Sequence, residues 1–176
     1  HRPHRARQRA APGQRRRPLQ AAAAADEARA VGLVRDLATG AATRLTKNLN
    51  PAIDETMLVD GEVVRYKSFD GLDIPAILFM PKGASADAKV PAVVDVHGGP
   101  GGQNRKGYAA MYQHLVNHGY AVLGANNRGS SGYGKTFFHM DDRRHGEEDL
   151  RDIVEGGNWL RAQDWVADDQ VAVMGG

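Results

Sequence analysis

No cysteine occurs among the 176 residues. Disulfides and thiolate-held metals are therefore excluded, and the redox compartment stays open. Long apolar runs are missing too. Nothing approaches the roughly 20 apolar residues that span a bilayer, so no membrane partner is expected. The run from Ala21 to Ala25 is too short and too weakly apolar for the core of a signal peptide. The chain begins with His rather than Met, so the native N-terminus, with any export signal, is expected upstream. Acids are absent from residues 1 to 20, which carry seven arginines. Taking those seven from the 23 Lys and Arg leaves 16 against 21 Asp and Glu, so the body is mildly acidic although the whole chain is +2. A basic arm can bind nucleic acid, but this one lacks interleaved aromatics and nothing downstream resembles a nucleic-acid module. Residues 1–27, rich in Arg, Ala, Pro and Gly, are expected to be a disordered solvated tail, because they bury too little to offset ordering entropy.

The remaining sequence divides in two. Residues 28–60 hold a hairpin signal, with apolar Ala30–Arg35, a turn at Asp36–Gly40 and a return over Ala41–Leu45. An isolated hairpin is marginal in water, so this one is expected to join a larger sheet. Residues 61–176 read as an α/β domain. Val63–Phe69 alternates, Asp70-Gly71 turns, and Ile74–Met80 returns, with Pro75 at a sheet edge or near the strand start. Val90–Val96, Tyr120–Ala125 and Gln170–Met174 are buried strands. Helices are expected over Ala109–His118, stopped by Gly119, and Asp149–Gln163, where Leu150, Ile153, Val154, Trp159 and Leu160 form an apolar stripe. Gly156 and Gly157 interrupt that helix or let a neighbour approach closely. A hairpin followed by alternating strands and helices implies a three-layer α/β fold with a mostly parallel sheet.

Two glycine clusters carry chemistry. The chain stops at Val-Ala-Val-Met-Gly175-Gly176. A buried strand running into Gly, one residue and then Ser opens a nucleophile elbow, although a Rossmann-type phosphate loop can begin the same way. The second cluster, His97–Gly102 (HGGPGG), follows the Val90–Val96 strand. In a hydrolase of this architecture that loop gives a backbone N–H to the oxyanion hole; otherwise it is an ordinary βα turn. His139 and His145 have no metal-ligand companions at useful spacing, and no metal or cofactor is expected.

DVHGGPGGQ (95–103), ANNRGSSGYG (125–134), GEEDLRDI (146–153) and VAVMGG (171–176) resemble, in order and spacing, the prolyl oligopeptidase family, nearest its acylaminoacyl-peptidase-like and dipeptidyl-peptidase-like branches. RDLATGAATRLTKNLNP (35–51) resembles the last blade of that family's β-propeller. The resemblance implies the N-terminal part of an α/β-hydrolase domain and a serine peptidase acting on short peptides without cofactor. It puts Gly99 where the family offers the oxyanion N–H, and Gly176 at the start of the elbow. It puts His97 where some members have a Tyr hydroxyl; as His it is expected to orient the loop, or to be a hydrogen-bonded structural histidine. Arg128 and Tyr133 fall in the family's loop beside the substrate site, Arg128 chiefly as a support paired with Glu148 or Asp149. The nucleophilic Ser, with the Asp and His of the triad, would follow Gly176, so the chain by itself is expected to be inert. A propeller-free carboxylesterase and a non-catalytic interaction module are the alternatives.

Overall fold

The structure, a computed structural model, describes residues 33–46 and 49–176. The expected basic tail lies outside these residues. Strands β1 (Leu33–Arg35) and β2 (Ala42–Arg44) pair antiparallel around a turn that Asp36 organises. Its Oδ1 accepts the Ala38 and Thr39 N–H groups, both at 2.8 Å, and these bonds hold its carboxyl below the usual range. Among the described residues this hairpin forms a two-stranded sheet apart from the other strands.

The second sheet has five strands: β3 (Glu62–Lys67), β4 (Asp73–Phe79), β5 (Val90–Val96), β6 (Ala121–Ala125) and β7 (Val166–Gly175). Their order is β3-β4-β6-β5-β7. β5 runs parallel to β6 and β7, whereas β4 is antiparallel to β3 and β6. The sheet is thus mixed, not mostly parallel. The β3–β4 hairpin is joined by a tight turn, and a tight turn can only return a strand antiparallel. Pro75 sits near the start of an internal strand, not at an edge. The β4–β6 ladder begins one residue later, at Ala76, and the Pro75 carbonyl accepts the Asn126 N–H at 2.9 Å. The missing Pro N–H therefore falls just past that ladder's end.

The described residues also form a short 3-10 turn at Glu55–Met57 and three α-helices: α1 (Ala110–Asn117), the single turn α2 (Lys135–Phe138), which the sequence did not suggest, and α3 (Glu148–Arg161). The period-2 alternation of β4 sorts the core onto two faces. Ile74, Ala76 and Leu78 join Leu123, Val94, Ile153 and Leu160 on the α3 face. Ile77 and Phe79 join Tyr112, Val116 and Val122 on the α1 face. The result is three layers. Gly156 lies against Tyr66, where a Cβ would come 3.0 Å from the phenol oxygen, so it permits close helix–sheet approach. Of the expected apolar stripe, Ile153 and Leu160 are buried, but Leu150 and Val154 are 55% and 53% exposed. They line a groove with Val171 and Val173 of β7, which no described element covers. No helix among the described residues is long and apolar enough to cross a membrane.

Candidate active site

The parallel pair β5 and β7 ends in register, Val96 beside Gly175. Their continuations therefore meet at one end of the sheet. A Cβ on Gly98 would stand 2.8 Å from the Gly176 carbonyl oxygen, and one on Gly175 would stand 2.8 Å from the Val96 carbonyl oxygen. Glycine is required at both places because two backbones occupy the space a side chain would take. Gly99 has φ +117°, a conformation that L side chains rarely adopt. Its N–H has no acceptor among the described residues, and it lines an open depression of about 470 Å³ with Pro100, Gly101, Gly102 and Asp141.

The loop is tied to the Asn126–Gly134 segment at both ends. His97 Nε2 lies 2.8 Å from Ser130 Oγ. That hydroxyl donates to the Asn127 carbonyl at 2.6 Å, so the imidazole N–H is the donor in the first bond. At the other end the Gly102 carbonyl accepts from the Ser131 N–H at 3.0 Å and from its hydroxyl at 3.2 Å. Beneath them, Asn104 and Asn126 clasp each other. Asn126 Oδ1 accepts the Asn104 N–H at 2.7 Å and its Nδ2 donates to the Asn104 carbonyl at 3.0 Å. Asn126 Nδ2 also donates to the Tyr133 hydroxyl at 2.8 Å. The Tyr112 hydroxyl donates to Asp95, and burial with that bond pushes this phenol well above its ordinary value.

Arg128 is buried, and of its expected partners Glu148 makes the longest of its ion pairs while closer acids hold it. Nε and Nη2 grip Asp152 bidentately at 2.9 and 2.8 Å, and Nη1 pairs with Asp70 at 3.0 Å. Glu148 reaches it only at 4.0 Å, and Asp149 not at all. Asp152 projects inward from the second turn of α3 while Asp149 lies at the helix start. Asp152 also accepts the Arg128 N–H at 2.8 Å and the Ser68 hydroxyl at 2.5 Å. These bonds hold the guanidinium charged, raising it further above its already high value, and hold the Asp70 carboxyl low. With its donors so committed, Arg128 braces the loop from behind. Tyr133, half-buried, stands edge-on to Phe137 with 5.5 Å between ring centres.

Sequence reasoning missed Asp70, Asp152, Ser68 and the asparagine pair. Only Asp152 left a signal, as the acid that falls on the apolar side of α3 beside Ile153. Ser68 and Ser85 lie between strands, and Ser130 and Ser131 lie in the long loop from β6 to α2, so none stands on a tight strand-to-helix elbow.

Comparison with known proteins finds relatives of the chain. Residues 107–176 match the model of the prolyl oligopeptidase family. The chain is 35% identical over 147 residues to dipeptidyl aminopeptidase BIII of Pseudoxanthomonas mexicana, covering 80% of this chain and 21% of that protein. It is 32% identical over 111 residues to the acylamino-acid-releasing enzyme of Sus scrofa, covering 63% of this chain and 15% of the relative. It thus spans about a fifth or less of the length of these relatives. A puromycin-hydrolyzing peptidase of Mycobacterium tuberculosis superposes with TM-score 0.71 at 25% identity, covering 82% of this chain and 23% of that one. The Pyrococcus horikoshii acylaminoacyl peptidase superposes at 0.65 and 29% identity, covering 77% and 22%. Motifs, sheet order and relatives agree: the chain belongs to the prolyl oligopeptidase family.

Proposed function

We propose that the full-length protein containing this chain is a serine peptidase that cleaves short peptides through an acyl-enzyme. The observation that carries this reading is the meeting of Gly98-Gly99 with Gly175-Gly176 at the ends of β5 and β7. A serine placed directly after Gly176 would sit at a tight turn, beside the free Gly99 N–H. Attack on a peptide carbonyl puts negative charge on its oxygen. The Gly99 N–H and the N–H following the serine would receive that charge. An Asp and a His further along would complete the triad in the order Ser, Asp, His. His97, bonded to Ser130, holds the loop and leaves donation to the backbone. Arg128 and Tyr133 act on substrate through the loop they brace. The separate β1–β2 hairpin supports reading 28–60 as the end of a β-propeller and 61–176 as part of the hydrolase domain.

The test is labelling of the full-length protein with a serine-directed phosphonate, followed by mapping of the modified peptide. Label on a serine directly after Gly176 is the expected result. Label on Ser68, Ser85, Ser130 or Ser131, or no label on an active enzyme, overturns the reading. The 176-residue chain alone is expected to take none.

A further inference from the structure

Asp141, His145 and Asp149 stand beside the oxyanion loop but have no part in the chemistry above. Contrary to the expectation that His145 lacks metal-ligand companions, each of the three offers one donor atom, and these atoms lie within 4.8 Å of one another. The Asp141 side chain is only 4% exposed, and its Oδ2 is buried without a hydrogen bond. A buried carboxylate oxygen left so is costly and calls for a partner. What faces it is the His145 ring, with Nδ1 at 3.1 Å. The carboxylate has little freedom to turn elsewhere, because it packs directly on Gly129, where any Cβ would collide with it.

We propose that Asp141, His145 and Asp149 bind one divalent first-row cation of the Zn²⁺ class, in the wall of the depression that Gly99 lines. An imidazole nitrogen with two carboxylate oxygens is a donor set such ions accept. Two donors each about 2.1 Å from one ion in a tetrahedral site stand about 3.4 Å apart. The exposed His145 ring and the half-buried Asp149 therefore need to swing inward by up to about 1.4 Å, while the fixed Asp141 supplies the anchor. The ion would stand between Asp141 Oδ2, which makes no hydrogen bond, and the His145 ring that faces it, and would join the Met140–Gly146 segment to the first turn of α3. All three donors bind deprotonated, so acid weakens the site. This inference rests on donor geometry, not on the peptidase reading.

The probe is Co²⁺, whose visible absorption reports coordination, titrated into the full-length protein. The expected result is a saturable band that His145→Gln and Asp149→Asn each weaken at least tenfold in affinity. His114→Gln, which changes an exposed imidazole on α1, is expected to leave it intact. Both test positions are at the surface, so neither variant depends on rebuilding the core as Asp141→Asn would. Unchanged binding in either variant overturns the three-donor site, as does loss of the band in His114→Gln. Phosphonate labelling of the same samples reads the peptidase separately.

Discussion

β5 has two parallel neighbours of similar apolar sequence, and their surroundings could hardly differ more. Every residue of β6 (AVLGA) is buried between β4, α1 and α3. β7 carries Val171, Ala172 and Val173 in the same alternation, yet Val173 is 65% exposed and the groove toward Leu150 and Val154 is open. The β6 side is further closed by Arg128, Asp152, Asp70 and Ser68, which tie the β3–β4 turn, the Asn126–Gly134 loop and α3 into one buried network. Burial is thus a property of neighbours and not of strand sequence. The proposed site lies where the closed side meets the open one.

The contrast is broken most severely from the closed side. Asp152→Ala strands the buried Arg128 guanidinium and is expected to cost about 3–5 kcal/mol in urea unfolding; a loss under about 1 kcal/mol would mean that the network is not what closes this side. Next comes the junction. Gly99→Ala in the full-length enzyme forces φ +117° on an L residue. Turnover is expected to fall roughly 10²–10³-fold, about 2.7–4 kcal/mol, with cooperative unfolding retained. Unaltered turnover removes Gly99 from the oxyanion assignment. Tyr66→Phe deletes the 3.0 Å bond from its hydroxyl to the Asp152 carbonyl and is expected to cost about 0.5–1.5 kcal/mol, read as a shift in the unfolding midpoint. The smallest effect belongs to the open side. Val173→Lys is expected to change stability by no more than about 0.5 kcal/mol. Because exposed apolar edges recruit other chains, the same substitution should lower self-association of the 176-residue chain in sedimentation velocity. A cooperative wild-type monomer there would show that β7 needs no cover.

The strands and both long helices were legible because periodicity and glycine stops are local. The meeting of HGGPGG with Gly175-Gly176 was legible only through the family's motifs, since β5 and β7 are distant in sequence. What stayed hidden depended on which face met a neighbour. Leu150 and Val154 have the spacing of core residues, but the strip of β7 they face lies bare. Asp149 and Asp152 differ by three positions on one helix, and packing alone decides that Asp152 reaches Arg128. The Asp70-Gly71 hairpin was legible, but that β4 stands between β3 and β6 and runs antiparallel to both, which makes the sheet mixed, is a long-range pairing that no local pattern announces. The companions of His145, Asp141 and Asp149, lie four positions away on either side in a non-helical segment and the start of α3, where spacing alone gives no metal-site signal.

The strand order also sets a timetable for synthesis. β3 and β4 are joined by a short turn and can pair as soon as both have emerged. β5 follows them in sequence but is not β4's neighbour; β6 takes that place, so β5 must wait for a strand made later. Its other edge closes only when β7 appears, with Val90 meeting Val166 and Val96 meeting Gly175. Such long-range parallel pairings close large loops and form slowly. A nascent chain therefore carries the apolar β5 with an unpaired edge until β7 has been made, the interval in which chaperone capture and premature association compete with folding.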